Sequence, residues 1–351
     1  MRRCAIVSFR LGGTDGVSIE AEKWGLALVD LGFEVTTVAG EGPVDVLVEG
    51  LGIGGGTPTA AALDDAIGDA ELVVVENVCS LPLNPGAARA VAIACRGRPA
   101  ILHHHDLPWQ RSGSHHCAPP TDPLWRHVTI NELSRHELSR RGIEATTIYN
   151  RFDTNAMPGQ RDQTRVRLGV GTGERLVLQP TRAIGRKNVA GGVSLAERLG
   201  ASFWLPGPVE DGYGPELEKI LARARCPVLR EPVPLKGPWS MADAYAAADV
   251  VVLPSSWEGF GNPTLEAAVH KRPLCVGHFP VARELVTFGF RWFPLDDSGQ
   301  IDRWLDMPDA GLLDHNWTVA DRHFSLRDLP TCLAAVIESK ASTPPLLTPG
   351  Y

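Results

Sequence analysis

The chain has 351 residues, 44% apolar and 21% charged, which excludes a disordered chain and exceeds the length at which one core usually stops growing, so two domains are expected. A formal net charge of -7 weighs against a nucleic-acid partner, which more often meets a basic surface. Seven cysteines, odd in number and without a Cys-x-x-Cys pair, argue against a disulfide scaffold and for reduced thiols, hence a cytoplasmic placement.

The chain opens on MRRCAIVSFRLGG, whose apolar run is too short for a secretory leader and ends at Arg10. Residues 4–9 therefore read as a first buried strand. No apolar run approaches ~20 residues, so no transmembrane helix is expected, and peripheral contact with a membrane stays open. Gly12, Gly13 and Gly16 follow, allowing close approach of backbone to a ligand, although their spacing is not the dinucleotide fingerprint. Residues 17–31 have helical spacing and stop at Gly32.

Further strand-like runs lie at 34–38, 72–76, 100–104 and 127–130. The segment ILHHHDLPW sets His103, His104 and His105 side by side, with Asp106 next and His115 and His116 later. Neighbours on a strand point to opposite faces, so the three histidines cannot all converge on one metal. Residues 153–174 are polar and contain glycines without a clean strand, and read as the linker between domains 1–155 and 170–325. The pattern restarts with runs at 175–180, 202–206, 226–230, 249–254 and 273–277. Residues 326–351 read as a C-terminal helix and a frayed Pro-rich tail. Alternating apolar strands and helices predict a doubly wound α/β fold. Its ligands sit beyond the carboxyl ends of the strands, and with two domains the natural place is the cleft between them.

Two segments of the second half carry chemistry. In QPTRAIGRKN, Arg182 and Lys187 occupy a loop after a strand, with Arg186 able to substitute in part and little core packing at stake. Such cations suit a pyrophosphate and its departure. In PSSWEGFGNPTLEAAVHKR, Gly259 and Gly261 permit a tight loop, Asn262 is expected as N-cap and Pro263 at the first helical position. The amides from Thr264 and Leu265 onward can then meet an anion. Glu266 falls on the first turn, where its carboxylate suits the hydroxyls of a ribose, and Glu258 precedes it in the loop.

The stretch EGFGNPTLEA resembles the Glu, seven residues, Glu motif of family 4 retaining glycosyltransferases, with its glycines and helix-start residues. The preceding loop resembles that family's strand, Arg, five-residue step, Lys pattern, and the likeness runs over about residues 4–300. It implies the GT-B fold: two facing Rossmann-like domains with an inter-domain cleft, donor mostly on the second and acceptor mostly on the first. It implies catalytic roles for His105, Arg182, Lys187 and Glu258. His105 matches the family's histidine near the donor sugar, although the sequence leaves open which of the three histidines faces the cleft. Donor contacts are expected from Gly12, Gly13, Gly261, Asn262, Thr264, Leu265 and Glu266, with Asp106 and Trp109 on the acceptor side. Asn150 and Asp153 match a hinge element, and Glu284 reads as structural.

The implied activity is retaining hexosyl transfer from a nucleotide-diphosphate sugar to the hydroxyl of a sugar, small molecule or glycoconjugate. No carboxylate nucleophile is evident in the first domain, so attack is expected on the face from which the leaving group departs. No cofactor and no metal are expected, because Asp64-Asp65 and Asp296-Asp297 lack the spacing that holds a cation on a diphosphate. The alternatives are a GT-B nucleotide-sugar epimerase and a noncatalytic nucleotide-sugar-binding protein.

Overall fold

The computed structural model describes residues 2–110, 118–234, 237 and 239–339, so His115, His116 and the Pro-rich tail lie outside the described residues. Each of the expected apolar runs overlaps a strand. In chain order the first half forms β1 (Arg2–Arg10), α1 (Gly16–Asp30), β2 (Phe33–Glu41), β3 (Val46–Leu47), α2 (Ala60–Ile67), β4 (Leu72–Glu76), α3 (Pro85–Ala94), β5 (Ala100–His104), β6 (Trp125–Thr129), α4 (Glu132–Ser139) and β7 (Ala145–Thr147). The seven strands make one parallel sheet in the order β3-β2-β1-β4-β5-β6-β7. Its β4 and β5 are buried along their whole length, as helices on both faces require. Asp15 caps α1 through the amides of Val17 and Ser18, and Gly32, at φ +84°, turns the chain out of it.

The second half adds α5 (Arg161–Leu168), β8 (Leu176–Leu178), α6 (Val189–Arg198), β9 (Ser202–Trp204), α7 (Gly214–Arg223), β10 (Val228–Leu229), α8 (Met241–Ala247), β11 (Val250–Leu253), α9 (Asn262–Val269), β12 (Leu274–Val276), α10 (Pro280–Val286), β13 (Phe293–Pro294), α11 (Ser298–Asp306) and α12 (Ala310–Phe324). Its parallel sheet runs β10-β9-β8-β11-β12-β13, the same winding. In both sheets the strand order reverses once, between β1 and β4 and between β8 and β11. Loops beyond the carboxyl ends at such a reversal are where ligands bind in this architecture.

The division of the chain differs from the expected one. One unit holds the chain up to Arg151 and again from Arg327, and the other spans Phe152–Leu326. The last helix, α13 (Leu329–Glu338), packs on α1 of the first unit and is no separate appendage. Arg151 reaches Cys332 Sγ at 3.3 Å, and Arg126 Nη2 donates to the Ser339 carbonyl at 2.5 Å. The expected linker 153–174 contains α5. This helix was hidden because its inward face is polar: Arg161 donates to the carbonyls of Ala246, Ala247 and Ala248 at the end of α8, and buried Arg165 pairs with Asp249 at 3.2 Å. These cations satisfy helix-end carbonyls that otherwise lack partners.

Candidate active site

In the second unit the loops after β8 and β11 are tied together at the strand-order reversal. Ser256 N donates to the Arg186 carbonyl at 3.0 Å, and Asn188 Nδ2 to the Pro254 carbonyl at 3.1 Å. Asn188 also caps α6 by accepting from Gly191 N. Between the loops, Glu258 is buried and takes a cation on each oxygen. Lys187 Nζ lies 2.5 Å from Oε1 and Arg186 Nη1 3.1 Å from Oε2. Burial pushes the Glu258 carboxyl up, but Lys187 and Arg186 outweigh it and hold it below its ordinary range. Burial pulls the Lys187 ammonium down, with Glu258 acting against it.

Lys187 and Glu258 thus come together as buried partners, so the expectation that little packing depends on Lys187 is corrected. Arg182 does not join them. Its guanidinium pairs with Glu210 at 2.6 Å. Arg186, given only a supporting part by the sequence, bonds directly to Glu258 beside Lys187.

The helix start also shifts by one residue. Gly261, at φ +89°, is the N-cap and Asn262 is the first residue of α9, so Asn262 is not the cap. A Cβ on Gly261 would stand 3.0 Å from Phe279 Cζ, on a backbone that L side chains rarely adopt. The Thr264 amide and hydroxyl both bond to the Gly261 carbonyl at 2.8 Å, so this amide is engaged within the turn and is not a free donor. The side chains of Thr264 and Leu265 are fully buried. Glu266 is half-buried, and its Oε2 accepts from the Tyr245 hydroxyl at 2.5 Å. Tyr245 stacks on His270, and burial followed by Glu266 raises its phenol well above the ordinary value.

In the first unit, exposed Gly12 and Gly13 follow β1. Gly12 has φ +75°, and a Cβ there would come 2.5 Å from Pro43 Cγ, so chain packing alone demands glycine. The start of α1 already holds a carboxylate, Asp15, which also pairs with Arg10 at 3.3 Å. The histidines divide by strand alternation. His104 faces one way, its Nδ1 2.5 Å from Ser80 Oγ and its Nε2 2.9 Å from His127 Nδ1. His103 and His105 face the other and share Glu76 Oε2, at 2.9 Å from His103 Nδ1 and 2.7 Å from His105 Nε2. Trp24 stacks on His103 at 4.0 Å between centroids.

The atoms of Glu76, His103 and His105 lie within 4.8 Å of one another. Their contacts are hydrogen bonds to one carboxylate oxygen, which explains the grouping without an ion. Glu76 escaped the sequence reading, although an acid ending the apolar run LVVVE was a signal for it. Trp109 is fixed to α4: its Nε1 donates to Glu137 at 2.7 Å, and the Arg141 guanidinium lies 3.5 Å above its ring. Asp106 is half-buried one residue beyond His105, Asn150 is buried, Asp153 is exposed and Glu284 is half-buried in α10.

Residues 194–298 match the model of the family described as glycosyl transferases group 1. The chain is 25% identical to mannosylglucosylglycerate synthase of Petrotoga mobilis, over 85% of this chain and 87% of that protein. It is 27% identical to the enzyme of that name from Thermotoga maritima, over 95% of this chain and 99% of that one. Among solved structures, HepE of Anabaena in complex with UDP-glucose superposes with a TM-score of 0.72 at 18% identity, covering 94% of this chain and 98% of that one. Sucrose-phosphate synthase of Thermosynechococcus elongatus superposes with a TM-score of 0.71 at 14% identity, covering 95% and 98%. These two likenesses carry the fold, two parallel-sheet α/β units of GT-B type. Among the described residues no helix is long and apolar enough to cross a membrane. The matched segment and the full-length relatives, on this fold, support a glycosyltransferase that uses a nucleotide sugar, similar to those of family 4.

Proposed function

We propose that the protein transfers a sugar from a nucleoside diphosphate sugar to an acceptor hydroxyl with retention of configuration, and that it needs no metal or other cofactor. The observation that carries this reading is the gathering of Lys187 and Arg186 on Glu258 where β8 and β11 end, one loop before Glu266 on α9. Glu258 places the two cations, and their charge, with that of Arg182 nearby, stabilises the diphosphate as it leaves. Gly261 and Asn262 let the chain approach the phosphates, Leu265 contributes its backbone at the helix start, and Glu266 accepts from the ribose. On the first unit Gly12 and Gly13 approach the donor, His105 meets its sugar, and Asp106 and Trp109 line the acceptor side.

Retention by attack on the departing face is supported by the state of Glu76. This carboxylate at the carboxyl end of β4 is fully buried beneath two imidazoles, unsuited to attack an anomeric carbon. The leaving phosphate oxygen then takes the proton of the acceptor hydroxyl. The names of the curated relatives put a mannosyl donor and a glucosylglycerate acceptor first on a test panel, and UDP-glucose is bound in HepE. UDP-, GDP- and ADP-sugars are screened by thermal shift, since a ligand stabilises the state it binds. The product is then read by NMR. A product with the donor's anomeric configuration is expected, and an inverted one overturns retention.

A further inference from the structure

At the ends of β4 and β5 one carboxylate carries two imidazoles. Glu76 Oε2 accepts from His103 Nδ1 at 2.9 Å and from His105 Nε2 at 2.7 Å. An ionised carboxylate only accepts, so each facing nitrogen carries a proton. Neutral His103 is therefore protonated on Nδ1 and neutral His105 on Nε2. The leftover nitrogens have different fates. Nε2 of His103 is buried without a partner, on a ring pressed against Trp24. On His105 the leftover nitrogen is Nδ1, which has no hydrogen-bond partner among the described residues, and this ring keeps 6% exposure against 1% for His103. The His105 backbone is held too, its amide donating to Asn77 Oδ1 at 3.1 Å.

We propose that Glu76 is a positioning residue: it holds His105 through Nε2, so that Nδ1 is the nitrogen offered to the donor sugar. The proposal rests on the reading above that His105 meets that sugar. An imidazole without a partner turns about its ring bond and exchanges tautomers, whereas a carboxylate on one nitrogen fixes the ring and makes the other nitrogen more basic. The charged and titratable groups around His105 are Glu76 from β4, Glu20 of α1 with its partner Lys23, and His103, His104 and Asp106 from its own segment. Burial pulls its pKa down, but Glu76, Glu20 and Asp106 prevail and the net shift is upward. Its neighbour His103 shifts downward, burial being the larger effect there.

The test follows the ring nitrogens of isotope-labelled histidine by NMR in the intact protein, with the His105 signal assigned by loss in His105→Gln. The wild type should show the Nε2-protonated tautomer at high pH. In Glu76→Gln the His105 midpoint should fall by about 1–3 pH units. Glu76→Asp keeps the charge and should recover much of that loss. A neutral His105 protonated on Nδ1 in the wild type overturns the proposal without any variant. An unchanged His105 midpoint in a folded Glu76→Gln protein overturns it as well. UDP-glucose added to the wild type should perturb the Nδ1 signal. If it stabilises the fold yet leaves that signal still while Glu76→Gln moves the midpoint, the holding contact stands and the sugar contact falls.

Discussion

Each unit buries a glutamate at its strand-order reversal, and the two are balanced in different ways. Glu258 is held by an ammonium and a guanidinium, both charged at ordinary pH. Glu76 is held by two imidazoles whose charge depends on pH. The first arrangement is a fixed electrostatic device, its cations charged whatever the ordinary pH. The second is adjustable, and further neutral imidazoles lie behind it on the opposite face of β5, in the chain Ser80, His104, His127. The pH response of the protein should therefore arise mainly from the first unit's histidines, while the second unit's site should respond to removal of a charge.

The largest effect should come from breaking the fixed pair. Lys187→Ala leaves Glu258 buried with half its neutralising charge gone. Loss of one partner of a buried pair costs about 3–5 kcal/mol of stability. Urea unfolding should show this, together with loss of turnover. Lys187→Met with Glu258→Leu replaces the pair by apolar bulk and should regain much of the stability but none of the activity. A single Lys187→Ala as stable as the wild type would mean that Glu258 is not held by a fixed charge.

Acidification probes the adjustable side. Burial pushes His127 down to about 4, so the unfolded chain binds its proton first. Stability from this group is full above about 6.5 and drains as pH falls toward about 4, by on the order of 3 kcal/mol. His103 and His104 are also lowered by burial, so their contributions are likewise lost in acid below about 6.5. His105, with a raised value, contributes in the reverse sense, its part fading as pH rises through the folded value. In the second unit His270, stacked on Tyr245, is also lowered to about 4. Urea midpoints against pH for the wild type, His127→Gln and His270→Gln divide the slope. A His127→Gln slope equal to the wild type's would place the acid sensitivity elsewhere.

How much of this was legible in the sequence depended on whether the burying residues were apolar. β4 and β11 stood out because LVVVE and DVVVLP are continuous apolar runs between turn residues. β3 and β7, of two and three residues, are too short and too exposed to leave a pattern. α5 was missed because arginines, not leucines, dock it. At the site, strand alternation correctly kept the three histidines from converging together. What local spacing did not supply was pairing between β4 and β5, which brings Glu76 opposite His103. Likewise the run QPTRAIGRKN made Arg182 and Lys187 equals, and only the neighbouring loop after β11 separates them, giving Lys187 to Glu258 and leaving Arg182 to Glu210. The cap of α9 was misjudged because Gly261 takes a left-handed conformation that lets Asn262 enter the helix.

A smaller effect is expected at Glu266. Removing a charged hydrogen bond to the ribose should weaken binding of a free nucleoside diphosphate by about 1.5–3 kcal/mol in Glu266→Ala. Tyr245→Phe removes only the hydroxyl that orients this carboxylate, so its loss should be near 1 kcal/mol. Calorimetry with UDP, then GDP, measures both. Equal affinities in Glu266→Ala and wild type for a nucleotide that the wild type binds would remove Glu266 from the ribose site.

The smallest effect should follow chelation. The residues nearest to a metal set are Glu76, His103 and His105, and their facing atoms are spaced and oriented as hydrogen bonds to one oxygen. A cation there would need both facing nitrogens without protons, against the tautomers that Glu76 selects. The acidic pairs Asp64-Asp65 and Asp296-Asp297 are exposed, the first within α2 and the second just after β13, and neither lies in the loops that carry Lys187 and Glu258. In the proposed mechanism the positive charge for a leaving diphosphate comes instead from Lys187, Arg186 and Arg182. Turnover should therefore be the same with and without EDTA once a donor is found. Activity lost in EDTA and restored by one divalent ion would move charge compensation from side chains to a metal. If Glu76→Asp also abolished that restoration, the ion would belong to the first unit, and the fixed and adjustable sites would exchange roles.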